Sequence, residues 1–165
     1  MGASARFALP FLAAGQAQKE LSHNEALQIL DLMVAAAVEE PPRSMPPTSP
    51  QVGATYIVAT GATGTWAGQD LCLAGFTDGG WRFVAPREGT VAYVVSTSVW
   101  AVFRDGAWEI GSLRGDNVVI GGEQVVGARA SAIAAPVGGS TVDAEARAAI
   151  GQVLSALRAH GLIDS

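Results

Sequence analysis

The chain has 165 residues, of which 49% are apolar and 15% charged, and it carries a net charge of −5. That length suits one compact domain, or one small domain with helical appendages, and can bury a sizeable core. The acidic balance argues against a nucleic-acid partner, which needs a basic face, and no apolar run has the length of a membrane span.

A charged share well below the usual quarter is easiest to understand where a partner covers part of the surface. Twenty glycines and eight prolines point to many turns and hence many short strands. The single cysteine, Cys72, lies in the apolar run Leu71–Ala74 and reads as a buried core thiol with no disulfide or metal-ligand pattern around it. Synthesis in the cytoplasm is the simple expectation.

The N-terminal stretch is apolar but broken by Pro10 and followed by Gln16, Gln18 and Lys19, unlike a secretory signal. Ser22-His23-Asn24-Glu25 has the form of a capping box. Behind it Ala26, Leu27, Leu30, Met33, Val34 and Ala37 recur at helical spacing, which predicts a helix over about 22–39 that stops before Pro41. Residues 41–50 hold five prolines and read as an extended strap. The strap is expected to hold the first helix away from the middle of the chain.

Residues 51–120 read as β. Runs over 55–60, 71–76, 81–85, 91–95, 99–103 and 108–110 are separated by Gly- and Asp-rich turns. Phe76-Thr-Asp-Gly-Gly-Trp81 matches Phe103-Arg-Asp-Gly-Ala-Trp108 at a spacing of 27, a repeated strand-turn-strand unit. Residues 118–126 form another hairpin around Gly121-Gly122. A Gly/Ala/Pro-rich extended stretch follows over 127–140. A last helix is predicted over about 141–160, capped at Ser140 or Thr141, with Asp143 and Glu145 near its start, Ala146, Ile150, Val153, Leu154 and Leu157 as its stripe, and Gly161 just beyond its end.

The expected fold is therefore mainly β, with antiparallel hairpins in a sandwich or barrel-like arrangement, plus an N-terminal and a C-terminal α-helix. The expected divisions are an N-terminal anchor over 1–40, the strap over 41–50, a β module over 51–126, and the extended segment with its helix over 127–165.

Catalytic signals are weak. His23 falls in the capping box and His160 in a last helical turn, where the dipole favours a cation. Asp78, Asp105 and Asp116 adjoin glycines, where Asp supports turns, and no pair of carboxylates stands out for glycoside hydrolysis. No nucleophile elbow, phosphate loop or dinucleotide fingerprint is present. The expectation is no enzyme, no catalytic residues, no metal and no cofactor. Trp66, Trp81, Trp100 and Trp108 admit two readings: core packing, or a flat platform on which indoles stack against sugars while Asp78 and Asp105 bind hydroxyls.

Three stretches carry a resemblance. Leu9 to Leu27, with its Gln16-Ala-Gln18-Lys19 and His23-Asn24-Glu25-Ala26 clusters, resembles the opening of an uncharacterised domain family found in tail, fibre and spike proteins of tailed phages and of alphaproteobacterial gene transfer agents. Thr65–Gly68 and Gly79–Gly89 resemble that family's β core. Gly121–Arg129 with Thr141–Ile150 is similar to the C-terminal segment of such proteins. The resemblance implies a virion component at a head spike or fibre, made in the bacterial cytoplasm, that attaches to host-surface capsular polysaccharide. No catalytic residues come with it.

Apolar stripes on helices at both ends suit packing about a symmetry axis. The expected partners are further copies of the chain as a trimer or pentamer, capsid or other particle proteins, a distal fibre, and a host polysaccharide. The candidate contacts are Phe7, Phe11, Leu27, Leu30, Met33, Val34, Ile150, Leu154 and Leu157. The alternative function is a carbohydrate-binding module, and a small glycan hydrolase is a third reading.

Overall fold

The computed structural model describes residues 2–13, 15, 19–140 and 143–164. Gln16, Ala17 and Gln18 of the resemblance, and Thr141 as a cap, lie outside the described residues. The chain divides into two compact units, Met1–Ser112 and Leu113–Ser165. Among the described residues there are nine strands and two α-helices, and every sheet pairing but one is antiparallel. The chain is thus mainly β with a helix near each end.

The first unit contains α1 (Lys19–Met33), β1 (Ala37–Val38), β2 (Thr55–Ile57), β3 (Leu73–Thr77), β4 (Gly80–Val84), β5 (Val91–Val94), β6 (Val99–Arg104) and β7 (Ala107–Ile110). One sheet runs β1-β5-β6-β7 and the other β2-β3-β4. The main core gathers Ile57 and Leu73 from the smaller sheet, Val38, Ala92, Val94 and Ala101 from the larger, and Leu32 from α1. The smaller sheet is covered on its other face as well, where Ala54, Tyr56, Val58 and Ala74 pack with Trp66. A strand buried on both faces reads as a continuous apolar run, which is how Tyr56-Ile57-Val58 appears in the sequence.

The repeat at a spacing of 27 is real in three dimensions. Phe76 pairs with Trp81 across the β3–β4 hairpin, and Phe103 with Trp108 across β6–β7. The two turns differ. In the first only Gly80 takes a positive φ, whereas in the second Asp105 and Gly106 sit at 50° and 75°, the combination a tight two-residue hairpin needs.

The first helix departs from expectation at both ends. It already includes Lys19, so Ser22 lies inside it and caps nothing; Glu25 instead meets the Arg82 guanidinium, with Nε 3.0 and 3.1 Å from its two carboxylate oxygens. It ends at Met33 instead of near residue 39, and Ala35 turns the chain at a φ of 44°. The run Ala35-Ala36-Ala37 has high helix propensity, but its tertiary partners override it. Tyr93 donates to the Ala36 carbonyl at 2.8 Å, and β1 pairs in parallel with β5. Val38 is fully buried as a result.

The proline strap is not a spacer between two bodies. Glu39 and Arg43 donate to the Thr55 and Ile57 carbonyls, and Ala59 donates back to Arg43, so the strap runs alongside β2. The helix, the strap and strands β2 to β7 therefore share one compact unit, which runs to Ser112, while the last hairpin of the expected 51–126 module falls in the other.

The second unit contains the hairpin β8 (Val118–Ile120) and β9 (Glu123–Val126) and the helix α2 (Ala144–Ala159). Gly121 and Gly122 make the turn with φ of 62° and 86°. The cap of α2 is Asp143, whose carboxylate accepts the Ala146 N–H at 2.8 Å, not Ser140. At the other end Gly161 takes a φ of 69°; it donates to the Arg158 carbonyl and Leu162 donates to Leu157, the pair of bonds that closes a Schellman end.

Candidate functional site

The four tryptophans do not form one platform. Trp66 is fully buried and stands 5.0 Å edge-on from Trp81, with Tyr56 touching both. Its indole N–H has no acceptor among the described residues, and no face of it is open to a ligand. Trp81 is half-buried in the same cluster and also meets Phe76 at 5.0 Å. Trp108 packs against the main core beside Phe103 and donates its N–H to the Leu71 carbonyl at 2.8 Å. These three serve packing, which corrects the platform reading for Trp66 and limits it for Trp81 and Trp108.

Trp100 is different. It is 50% exposed and stands 5.2 Å from Tyr93 in an edge-on pair. Residues alternate faces along a strand. Ala92, Val94 and Ala101 point into the core, so Val91, Tyr93, Trp100 and Val102 share the opposite face of the larger sheet. Glu109, opposite Val102, forms an ion pair with Arg104 at 3.4 Å on that face. Tyr93 and the face around it were missed in the sequence; the alternation through 91–94 and 99–102 was the available signal.

Asp78 and Asp105 are exposed at the tips of the two repeat hairpins. The Asp105 amide donates to the Glu88 carboxylate at 3.1 and 3.3 Å. Asp78 lines a cavity of about 50 Å³ with Ser4, Phe11, Gln28 and Asp31, which holds little more than a water or two.

Asp31 on α1 is a heavily bonded polar group, only 5% exposed. Its carboxylate accepts the Ser4 hydroxyl at 2.7 Å and the Arg6 and Phe7 amides at 2.8 and 2.6 Å. The Arg6 guanidinium reaches the carbonyls of Asp31, Leu32, Val34 and Ala35. The first three are among the carbonyls a helix end leaves without partners, and a cation there is favoured by the dipole. Asn24 adds a two-bond clamp on Leu12. The N-terminal segment is thus fastened to α1. Asp31 interrupts the apolar run Leu30–Met33, and that interruption was the sequence signal for a buried, satisfied carboxylate.

Among the candidate contacts, Phe7, Leu30 and Val34 are exposed at 46%, 50% and 53%. Met33 packs against the main core, and Phe11 and Leu27 are half-buried. Leu154 is buried inside the second unit, Leu157 is half-buried and Ile150 is 44% exposed. Met33 and Leu154 therefore serve their own units, because each lies where its helix meets its own chain.

Three groups have shifted titration. Burial raises the Tyr56 hydroxyl, with the Glu39 and Glu40 charges adding to it. Burial also raises the Cys72 thiol, with Asp70 adding. The Ala62 and Gly61 amides hold the Asp70 carboxyl below its ordinary value. Among the described residues no cluster of acids, histidines and cysteine could hold a metal, and no helix is long and apolar enough to cross a membrane.

No curated protein and no solved structure matches the chain. One family does, over residues 23–109, a stretch that falls within the first unit and leaves the second outside it. By that match over more than half its length, the chain belongs to the family described as protein of unknown function (DUF2793).

Proposed function

We propose that the chain is a structural, self-associating component of a phage-like particle, acting at a head spike or fibre as a base or adaptor. It works by assembly and not by catalysis. The observation that carries this reading is the second unit. Of its apolar side chains only Leu154 and Ile163 are buried among the described residues, while eleven large ones, Val118, Ile120 and Val153 among them, are 44% to 91% exposed. So many exposed large apolar side chains in so short a unit suit a surface that a partner covers, and an isolated two-stranded hairpin is marginal in water. A subunit of an assembly has both covered. The placement in a phage-like particle, built in the bacterial cytoplasm, comes from the sequence resemblance.

In this reading Phe7, Leu30 and Val34, which flank the Arg6–Asp31 clasp, face a capsid or other particle protein. A distal fibre would attach elsewhere on the ring. The test is the solution mass of the purified chain by light scattering over a concentration series. A stable trimer suits a fibre and a stable pentamer suits a capsid vertex. A mass of 16.8 kDa at every concentration would sink the assembly reading.

One observation favours a second reading, sugar binding at the Trp100–Tyr93 face. An exposed indole beside a tyrosine ring is a surface on which a pyranose can stack. Titration with capsular polysaccharide would then change tryptophan emission, and Trp100→Ala would abolish the change. Unchanged emission in the parent chain removes this reading.

A further inference from the structure

We infer that α2 is a self-association helix, and that the cover of its free face is the α2 of other copies of this chain. The inference rests on the assembly reading and locates its interface.

The helix has two distinct faces. Arg147, Gly151, Leu154 and Arg158 lie in one row at spacings of four, three and four. This row is satisfied within the unit: Leu154 is 5% exposed, and Arg147 and Arg158 donate to the carbonyls of Pro136, Gly138 and Ile133. About a quarter-turn away, at 100° per residue, runs a second row with the same spacing: Ala146, Ile150, Val153 and Leu157. It holds no charge, and Ile150 and Val153 are 44% and 58% exposed.

Alternating spacings of three and four make the seam of a helix that packs lengthwise against another helix. The row spans about 16 Å at 1.5 Å per residue, a narrow strip that fits a helix of equal length. A membrane-surface helix would keep basic side chains free on its polar face. Here both arginines of α2 are turned onto carbonyls of their own chain. A strongly charged partner is equally unsuited, since residues 113–165 carry four arginines against five acids, a net charge of −1. A second copy meets the same near-neutral strip without repulsion.

A helix in a protein draws most of its stability from packing of its apolar face, so association would stabilise the sixteen residues it joins. Four residues are too few for a stable interface, which takes about 800 Å² per partner. Exposed apolar side chains of the hairpin in the same unit, such as Val119 or Ile120, are available to extend it.

The test uses the full chain with Ile150→Asp and Val153→Asp together. Neither residue is in the unit's own core. All four tryptophans lie between 66 and 108, so their near-ultraviolet dichroism reports the first unit independently. The expected result is an oligomeric parent and a variant whose mass falls to 16.8 kDa with an unchanged tryptophan signal. A variant that keeps the parent's mass overturns the α2 interface and leaves the assembly reading standing. A parent that is monomeric throughout overturns both.

Should the double variant fold poorly, Val153→Cys gives a second readout. In a parallel coiled coil of α2 helices around the symmetry axis, the arrangement this seam predicts, position 153 of one chain lies beside position 153 of the next. Mild oxidation with oxidised glutathione should then link chains through the introduced thiol, while the parent, whose one cysteine is buried, stays unlinked. Absence of linked chains in an oligomeric variant overturns the seam.

Discussion

Tyr56-Ile57-Val58 and Val118-Val119-Ile120 look alike on paper, each a short apolar run with high strand propensity. In the structure all three residues of the first run are buried, at 8%, 0% and 0% exposure, and all three of the second are exposed, at 49%, 54% and 66%. The first run belongs to a sheet covered on both faces, by α1 and the larger sheet on one side and by Trp66 on the other. The second belongs to a hairpin with no layer on either face in its own unit. Burial is set by the number of layers that reach a strand, not by the strand's composition.

The largest expected effect tests that contrast directly. Leu73→Ala empties a fully buried position between the two sheets and should cost the first unit about 3 kcal/mol, within the range for such truncations. Val119→Ala should change monomer stability by less than about 0.5 kcal/mol. Urea unfolding followed by tryptophan fluorescence reads the first, and hydrogen exchange of the β8–β9 amides reads the second. A Val119→Ala cost as large as that of Leu73→Ala in monomeric protein would show that the hairpin has a core after all.

Next comes Asp31→Ala. It strips the acceptor from three donors, one hydroxyl and two amides, and should cost about 2 kcal/mol, since bonds to a charged group are stronger than neutral ones. Proteolysis should then cut first within residues 2–13. Continued resistance there would mean that the Arg6 contacts to the end of α1 suffice.

Trp108→Phe should cost about 1 kcal/mol. It removes one indole N–H bond and leaves the Leu71 carbonyl without that donor. The same change at Trp66 removes a group that has no acceptor among the described residues, so its loss should come from packing alone. Equal polar losses at both sites, judged by replacing each indole with its benzothiophene isostere, which keeps the ring shape and lacks the N–H, would contradict this.

The smallest effect is the pH dependence of Asp70. Its folded carboxyl is held below the unfolded value of 3.8 by the Ala62 and Gly61 amides. The unfolded chain therefore binds the proton first as pH falls. The stabilisation is present above 3.8 and is lost as pH drops through the lower folded value. Asp70→Asn should flatten that part of the acid-unfolding curve. An unchanged curve would mean that the amide contacts do not persist in solution.

Much of the fold was legible because it depends on local chemistry. Asp105-Gly106 and Gly121-Gly122 announce their hairpins since few other residues accept positive φ. The 27-residue repeat preserves both strand pairing and turn position. Gly161 marks the end of α2 for the same reason. The site residues were less legible. Four tryptophans in a β region look equivalent in a sequence, and only the packing around each separates fully buried Trp66 from half-exposed Trp100.

What the sequence by itself determined is the mainly β architecture with a helix near each end, through turn residues, strand propensity and apolar period. The end of α1, the role of the proline strap and the extent of the two compact units were decided by tertiary structure. Ala35 to Val38 would extend a helix on propensity, but pairing with β5 and burial of Val38 outweigh a few tenths of a kcal/mol per residue. The strap reads as a spacer until its backbone groups find β2. The Arg6–Asp31 clasp joins residues 25 apart. Contacts of that kind depend on which surfaces meet after the chain has folded, and local sequence carries no term for them.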